Sequence, residues 1–535
     1  MTRLAPTLMI QGTASNVGKS LIATAFCRLF RSAGLRVAPF KAQNMALNAA
    51  VTQDGHEIGR AQAAQAEACG VEATFHMNPI LLKPEGERRS QVIVNGRSIG
   101  SMGAVEYHKV KPELRGMIAE SLTYLRSTYD LVVIEGAGSP AEINLKQHDL
   151  VNMFVARTAQ SPVMLVGDID RGGVFASFVG TMELLDPEER SLVRGFIVNK
   201  FRGDVSLLTS GLDFLHQRTG VPVLGVLPYV RDHQLPEEDS LGLEDRRRIK
   251  QRTGDKIGIA VIRLPRMSNY DEFQPLEREP SVSLNFVDQA ALLDDADLVI
   301  LPGTKNTLDD LAWLKQSGLA SALVRRAESG GLILGICGGC QMLGGMIDDT
   351  IGVEGEGRVG HGLGLLPFVT VFQHEKRTAQ TKVRVSIDTW LAGSKQAEYT
   401  GYEIHCGRPQ MANDALKTHV GLFAIEERNG VRDHGFDGAM SPNGAVVGTM
   451  LHGLLEDPVM RQHLVGELQR RRGGLPSLAG NETNPGSISR DQVYDRLADV
   501  LRENLDLKQL ETIVFGAHEK MAHMFRNASG METKR

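Results

Sequence analysis

An apolar strand, Leu8 to Gln11, runs straight into Gly12-Thr-Ala-Ser-Asn-Val-Gly18-Lys19-Ser20, and a helical pattern follows from Leu21 to Ala33. No other stretch narrows the possible folds as far. A glycine-rich loop between a strand and a helix gathers backbone N–H groups at the positive end of the helix, where phosphate is held. Gly12, Thr13, Asn16 and Gly18 shape the cradle, Lys19 reaches the β- and γ-phosphates, and Ser20 is placed to bind Mg²⁺. Such a unit is one piece of a doubly wound α/β sheet.

The strands that follow extend that sheet. Leu35 to Phe40 reads as a second strand, ending in Lys41-Ala-Gln-Asn44 at the carboxyl edge where ligands bind, or in a solvated loop. Asp54, in an Asp-Gly turn before an Ala- and Gln-rich helix, suits a metal ligand or an N-cap equally. Asn78 to Pro84 is a short strand or extended turn, and a helical stretch runs from Tyr107 to about Ser127. Asp130 to Glu135 is an apolar run ending in an acid, the pattern that sets Mg²⁺ beside a phosphate-loop serine, so Glu135 is a candidate metal ligand. Pro162 to Asp168, Gly195 to Lys200 and Pro222 to Pro228 complete at least six strands alternating with helices, a mostly parallel sheet. Asn199 follows its strand where phosphate-loop proteins contact a purine base. Arg202 replaces the last acid of a guanine-reading Asn-Lys-x-Asp, which favours ATP over GTP.

Residues 236–256 are polar, with charge runs of both signs, and read as a linker after a first domain over 1–235. Ile257 to Ile262 restarts a buried strand and opens a second α/β domain over 257–460. Its centre is Leu332-Ile-Leu-Gly-Ile-Cys337-Gly-Gly-Cys-Gln341. A nucleophile between glycines, after a strand and before a helix, has the spacing of a nucleophile elbow. The helix start favours a thiolate at Cys337, whereas Cys340 lies one turn further in. Two downstream histidines, His405 and His452, could take the thiol proton. His452 is favoured because it closes a strand beside a glycine. Residues 461–535 read as a polar loop, an amphipathic helix over Val493 to Leu505 that packs on the second domain, and a frayed end from His518.

Bulk properties narrow the class. A chain of 535 residues needs more than one core. A net charge of -5 gives no electrostatic case for nucleic acid or an anionic membrane, and the chain lacks the long apolar run of a membrane span. Five cysteines, an odd number, fit free thiols and a cytoplasmic setting better than a disulfide framework, and the first residues read as a strand, not a signal peptide.

Taken together these motifs resemble known proteins. Cys337-x-Gly339-x-Gln341 with a later Gly448-Thr-x-x-His452-Gly is similar to class I glutamine amidotransferases. The Gly12–Ser20 loop resembles the dethiobiotin synthetase group of carboxylate-activating enzymes. Both halves in this order, with Pro39 to Met45, Asn78 to Pro84 and Gly401 to His405, resemble the cobyric acid synthase family over about residues 6 to 510. The resemblance implies two doubly wound α/β domains, an N-terminal parallel phosphate-loop sheet and a C-terminal amidotransferase-like sheet. It implies ATP- and glutamine-dependent amidation of the b, d, e and g carboxylates of adenosylcobyrinic acid a,c-diamide, with glutamine and a corrinoid as substrates and ATP and Mg²⁺ as cofactors. By the same resemblance Ser20, Asp54 and Glu135 hold the metal, Cys337 and His452 carry glutamine hydrolysis, and backbone N–H groups of Gly303 and Gly338 form an oxyanion hole. One position departs from the class I pattern: Leu454 stands where a triad glutamate follows the histidine by two residues, which leaves Glu456 as a candidate to orient His452. The alternatives are another glutamine-fed carboxylate amidase, such as a cobyrinic acid a,c-diamide synthase, or a regulatory phosphate-loop ATPase with an inactive amidotransferase half.

Overall fold

The computed structural model describes residues 4–86, 88–231, 235, 255–411, 420–473, 489–516 and 518–528. The polar stretch expected to link two domains over 236–256, and the polar loop expected after Arg470, lie almost wholly outside them.

Alternation along Thr7–Gly12 builds the first half. Leu8 and Ile10 face one core and Met9 the other, all fully buried, as period-two side chains on a doubly covered strand require. This strand lies fourth in a six-stranded parallel sheet ordered Val223–Pro228, Val193–Phe201, Val163–Asp168, Thr7–Gly12, Leu131–Glu135, Val37–Phe40. Helix α1 (Lys19–Ser32) covers one face. Beyond Phe40 the chain leaves the sheet. Gln43–Met45, Ile80–Pro84, Arg89–Val94 and Arg97–Gly103 form a small separate sheet. A hairpin of Ala49–Val51 and Glu57–Gly59 leads into helix α2 (Arg60–Cys69).

The second half is built on a twelve-stranded mixed sheet. Its core is parallel: Val282–Val287, Ile257–Ile262, Leu298–Leu301, Leu332–Ile336 and Val446–Thr449 lie side by side. An antiparallel extension follows, dominated by the long strands Phe368–Val385 and Glu398–Met411. The doubly wound α/β expectation therefore holds in both halves, with an antiparallel wing on the second.

The C-terminal helices depart from expectation. Arg490–Asn504 packs on α1 of the first half, not on the second. Arg28 reaches Asp495 at 2.6 Å and Asp491 at 2.8 Å, and Tyr494, Leu497 and Leu501 enter the first core. Glu519–Ala528 is helical where fraying was expected, and Phe525 is fully buried against Phe30, ring centroids 5.3 Å apart. Helix α1 carries a stacked aromatic pair, Phe26 and Phe30, and such a pair needs a cover. The chain returns across 500 residues to supply it, which nearest-neighbour reasoning along the sequence cannot see.

Candidate functional site

Chemistry-bearing residues gather in two places. In the first half, Gly18 takes the left-handed conformation at φ 102°, which a glycine adopts at no steric penalty, and α1 starts at Lys19. Lys19 Nζ donates to the Ala14 carbonyl at 3.0 Å and to the Gly138 carbonyl at 3.1 Å, so the ammonium lies folded against the loop. Ser20 Oγ donates to Glu135 Oε1 at 2.8 Å. Lys41 Nζ reaches the same oxygen at 3.0 Å, and Gln65 Nε2 donates to Glu135 Oε2 at 2.6 Å. Glu135 is only 1% exposed, and its charge is balanced by this ring of donors. Thr13 N–H donates to the Val166 carbonyl at 2.9 Å and anchors the loop on the neighbouring strand.

Asn199 Nδ2 donates to the Val17 carbonyl at 2.8 Å and Lys200 Nζ to the Asn16 carbonyl at 2.7 Å, so both brace the loop, and both line the cavity beside it. Asp54 sits at the tip of the Ala49–Gly59 hairpin, paired with His56 at 2.9 Å and accepting from Thr52 at 2.5 Å. It is absent from the residues lining the cavity around Lys19 and Ser20. That cavity is about 990 Å³, and Lys41, Asn44, Lys111, Arg171 and Arg202 line it beyond the loop. Arg202 lies over the Tyr229 ring at 4.0 Å.

In the second half, Leu332–Ile336 delivers the chain to Cys337, at φ 50° and ψ −107°. A non-glycine residue held there is strained, as a nucleophile elbow requires. The Cys337 N–H donates to the Thr449 carbonyl at 2.8 Å, which fastens the elbow to the strand that leads to His452. Cys337 and His452 line one cavity. Gly303 passes so close that a Cβ there would stand 2.8 Å from His452 Cε1. Gly338 follows Cys337 as the first residue of the helix Gly338–Leu343.

The orienting acid is not Glu456. Glu456 faces away, bonding Arg60 and, at 2.7 Å, Arg490. Glu272 fills the role. Its Oε1 lies 3.0 Å from His452 Nδ1 and its Oε2 accepts the Gly453 N–H at 3.1 Å. A carboxylate only accepts, so Nδ1 carries the proton and Nε2 is left for Cys337. Burial alone would push His452 down, but Glu272 and Cys337 beside it carry its pKa up to about 10. The rival His405 is engaged, with Nδ1 2.7 Å from the Gly407 carbonyl and Nε2 3.4 Å from Glu403. Cys340 is buried, and desolvation raises its thiol well above the usual range, so it stays a thiol.

Both halves wall the thiol. A cavity of about 50 Å³ holds Cys337, Gln341 and His452 together with Lys83 and Gln91 from the first half. It adjoins a wider cavity of about 870 Å³, with Gln91, Glu354, Lys376 and Cys406 common to the two. Glu272 had no spacing signal to betray it, because it lies 180 residues before its histidine. Lys41 was visible at a strand end, whereas Gln65 inside a helix was not.

Residues 8–241 match the CobQ/CobB/MinD/ParA nucleotide binding domain, and residues 258–459 match the CobB/CobQ-like glutamine amidotransferase domain. The chain is 54% identical to a cobyric acid synthase of Sorangium cellulosum over 519 residues, 95% of this chain and 98% of that one. It is 48% identical to one of Pelotomaculum thermopropionicum, across 96% and 97% of the two chains. It is 46% identical to one of Dehalococcoides mccartyi strain CBDB1, across 96% and 99%.

Proposed function

The chain belongs to the cobyric acid synthase family, and from that premise we propose that it amidates the b, d, e and g carboxylates of adenosylcobyrinic acid a,c-diamide, using ATP and glutamine, in cobalamin biosynthesis. One observation carries the reading. A relay of Cys337, His452 and Glu272 and a phosphate loop with Lys19, Ser20 and Glu135 stand in one chain, and both halves wall the thiol cavity.

Glutamine enters through the wider cavity beside Lys376 and Glu354. The Cys337 sulfur attacks the side-chain amide carbon while His452 Nε2 takes the thiol proton. Backbone N–H groups at Gly303 and Gly338 face the developing oxyanion. The C–N bond then breaks, His452 returns the proton, and ammonia leaves a γ-glutamyl thioester that water hydrolyses to glutamate. Glu272 holds the imidazolium in register and stabilises its charge throughout.

A corrinoid carboxylate is a poor acceptor for ammonia until its oxygen carries a leaving group. At the phosphate loop the carboxylate oxygen takes the γ-phosphoryl group of ATP and ADP departs. Ammonia attacks the resulting acyl carbon, inorganic phosphate leaves, and the amide remains. Lys19 neutralises charge on the transferring group. The cradle at Gly12–Gly18 and the hydroxyl–carboxylate pair of Ser20 and Glu135 suit a nucleotide with Mg²⁺, a hard cation that takes oxygen ligands and few of them from protein. Bound there, Mg²⁺ supplies Lewis-acid neutralisation of the phosphates. Asp54 is left out of this donor set. Lys41, Lys111 and Arg171 suit a substrate rich in carboxylates, and Arg202 on Tyr229 gives a flat cationic face for a purine.

Ammonia must travel sheltered from bulk water. Ala46, Ala49, Val51, Leu81, Ile93, Tyr402 and Ile404, drawn from both halves, form a small buried apolar cluster. The Ile404 carbonyl lies 3.8 Å from the Cys337 sulfur. The test of the division of labour is Cys337→Ser. It should lose amidation from glutamine and keep amidation from ammonium salt; loss of both would sink the reading.

A further inference from the structure

The acid that orients His452 lies on a helical turn, Tyr270–Phe273, that the nucleotide-binding half grips from the outside. Three contacts hold it. The Ala49 N–H donates to Asn269 Oδ1 at 3.0 Å, Asn48 Oδ1 accepts the Tyr270 N–H at 3.2 Å, and Arg60 Nε pairs with Asp271 Oδ2 at 2.7 Å. Asn269 is itself held at φ 53°, a left-handed position that an asparagine tolerates when its surroundings fix it.

The pairing of Arg60 with Asp271 is the contact with the largest consequence for Glu272. Asp271 is 4% exposed and has two carboxylates of its own half as neighbours, Glu272 beside it in sequence and Glu456. Arg60 is the cation that faces it, and a second guanidinium nitrogen of Arg60 bonds Glu456. An unpaired carboxylate buried there would repel Glu272 or seek a proton, and either would shift the turn. Helix α2 is in turn fixed at its middle, where Gln65 donates to Glu135 at the phosphate loop. Five residues along a helix separate the two anchors by about 7.5 Å of rise.

We infer that Arg60 is a positioning residue for glutamine hydrolysis, supplied by the nucleotide-binding half: through Asp271 it sets the turn that aims Glu272 at His452. This rests on Cys337, His452 and Glu272 being the glutaminase. Arg60 does not line the cavity around Cys337, so it acts on the rate of the chemistry and not on glutamine binding. A displacement near 1 Å at a catalytic group costs on the order of 100-fold in rate.

The test compares Arg60→Ala, Arg60→Lys and the double variant Arg60→Ala/Asp271→Asn in the full-length protein, with Cys337→Ser beside them. Glutamine hydrolysis and ammonium-driven amidation are measured on each, and on the variants that keep Cys337 also the rate at which iodoacetamide alkylates it. Arg60→Ala should lower kcat for hydrolysis about 10- to 100-fold with KM within about threefold. Its alkylation rate should change as well, because the thiol's partner is no longer held, and ammonium-driven amidation should persist. Arg60→Lys should recover part of kcat, and so should the double variant, because removing the stranded carboxylate removes the repulsion. Hydrolysis by Arg60→Ala within twofold of the parent overturns the inference. So does an equal loss of hydrolysis and ammonium-driven amidation, which would make Arg60 a fold-holding residue only. Hydrolysis that survives in Cys337→Ser would instead overturn the underlying site, so the two failures are distinguishable.

Discussion

Glu272→Gln is the most informative single change to the thiol site. The side chain keeps its shape and loses its charge, and Oε1 no longer offers a carboxylate to His452 Nδ1 at 3.0 Å. His452 stands at about 10 against an ordinary 6.5 despite burial that pulls the other way. At 1.36 kcal/mol per pH unit, that difference is about 5 kcal/mol favouring the imidazolium. Glu272 and Cys337 together raise it, with the charge of Glu272 the largest single contribution, so removing Glu272 forfeits on the order of 2–3 kcal/mol. Glu272 stabilises the imidazolium that holds the proton while Cys337 attacks, so its loss raises the barrier and amounts to about 100-fold in kcat/KM. The assay is glutamate release from glutamine, with ammonium-driven amidation as the control that should not change. The sign of a stability effect follows as well. A histidine raised from 6.5 to about 10 contributes fully below pH 6.5 and loses that contribution as pH rises towards 10. The parent should therefore lead Glu272→Gln in stability most at pH 6 and least at pH 10. Hydrolysis within threefold of the parent, or a stability gap that widens with pH, would refute the reasoning.

Further expectations follow from the same structure. Lys19→Ala should abolish amidation from both glutamine and ammonium while leaving glutamine hydrolysis measurable, because its ammonium lies on the phosphate loop and not near Cys337. Phe525→Ala should destabilise the nucleotide-binding half by about 3–4 kcal/mol, read by chemical denaturation, because it opens the aromatic cluster with Phe30 and Phe515. Glu57 joins Lys83 at 2.9 Å and also Lys376; burial pushes its carboxyl up, but the two lysines outweigh it and hold it at about 2 against 4.5. Its contribution is present above pH 4.5 and lost as pH falls to about 2, so Glu57→Gln should flatten the acid limb of the stability curve in that window. Lys83, drawn by burial from 10.5 to about 8, is protonated throughout that acid range and does not blur the comparison.

What the chain reveals before it folds depends on sequence distance. The phosphate loop, the elbow and the strands that carry them are local patterns, and both could be placed from spacing alone. Glu135 could be placed because an acid ending an apolar strand is a local signal too. Glu272 could not, since it reaches His452 only after the turn at Tyr270–Phe273 folds against the far end of the chain's second half. Glu456 sat closer in sequence and was the natural candidate, yet the second half turns it towards Arg60 of the first. Asp54 fits a metal ligand by residue type, but the hairpin carries it to a tip beside His56. The C-terminal helices follow the second half in sequence and fold back onto the first, because an aromatic face on α1 is what they can cover. For Glu272, Glu456 and the C-terminal helices, long-range packing and a burial requirement outranked sequence proximity.

The central claim is that nitrogen released at Cys337 is consumed at the phosphate loop of the same molecule. The direct measurement is isotopic. The protein is supplied with ATP, Mg²⁺, adenosylcobyrinic acid a,c-diamide, glutamine labelled with ¹⁵N in its side-chain amide, and an excess of unlabelled ammonium at near-neutral pH. Mass spectrometry of the product then counts new amides and their label. The account predicts four new amides, carrying ¹⁵N well beyond the dilution set by the ammonium in solution. Amides labelled only in proportion to bulk ammonium, or no new amides at all, would contradict it.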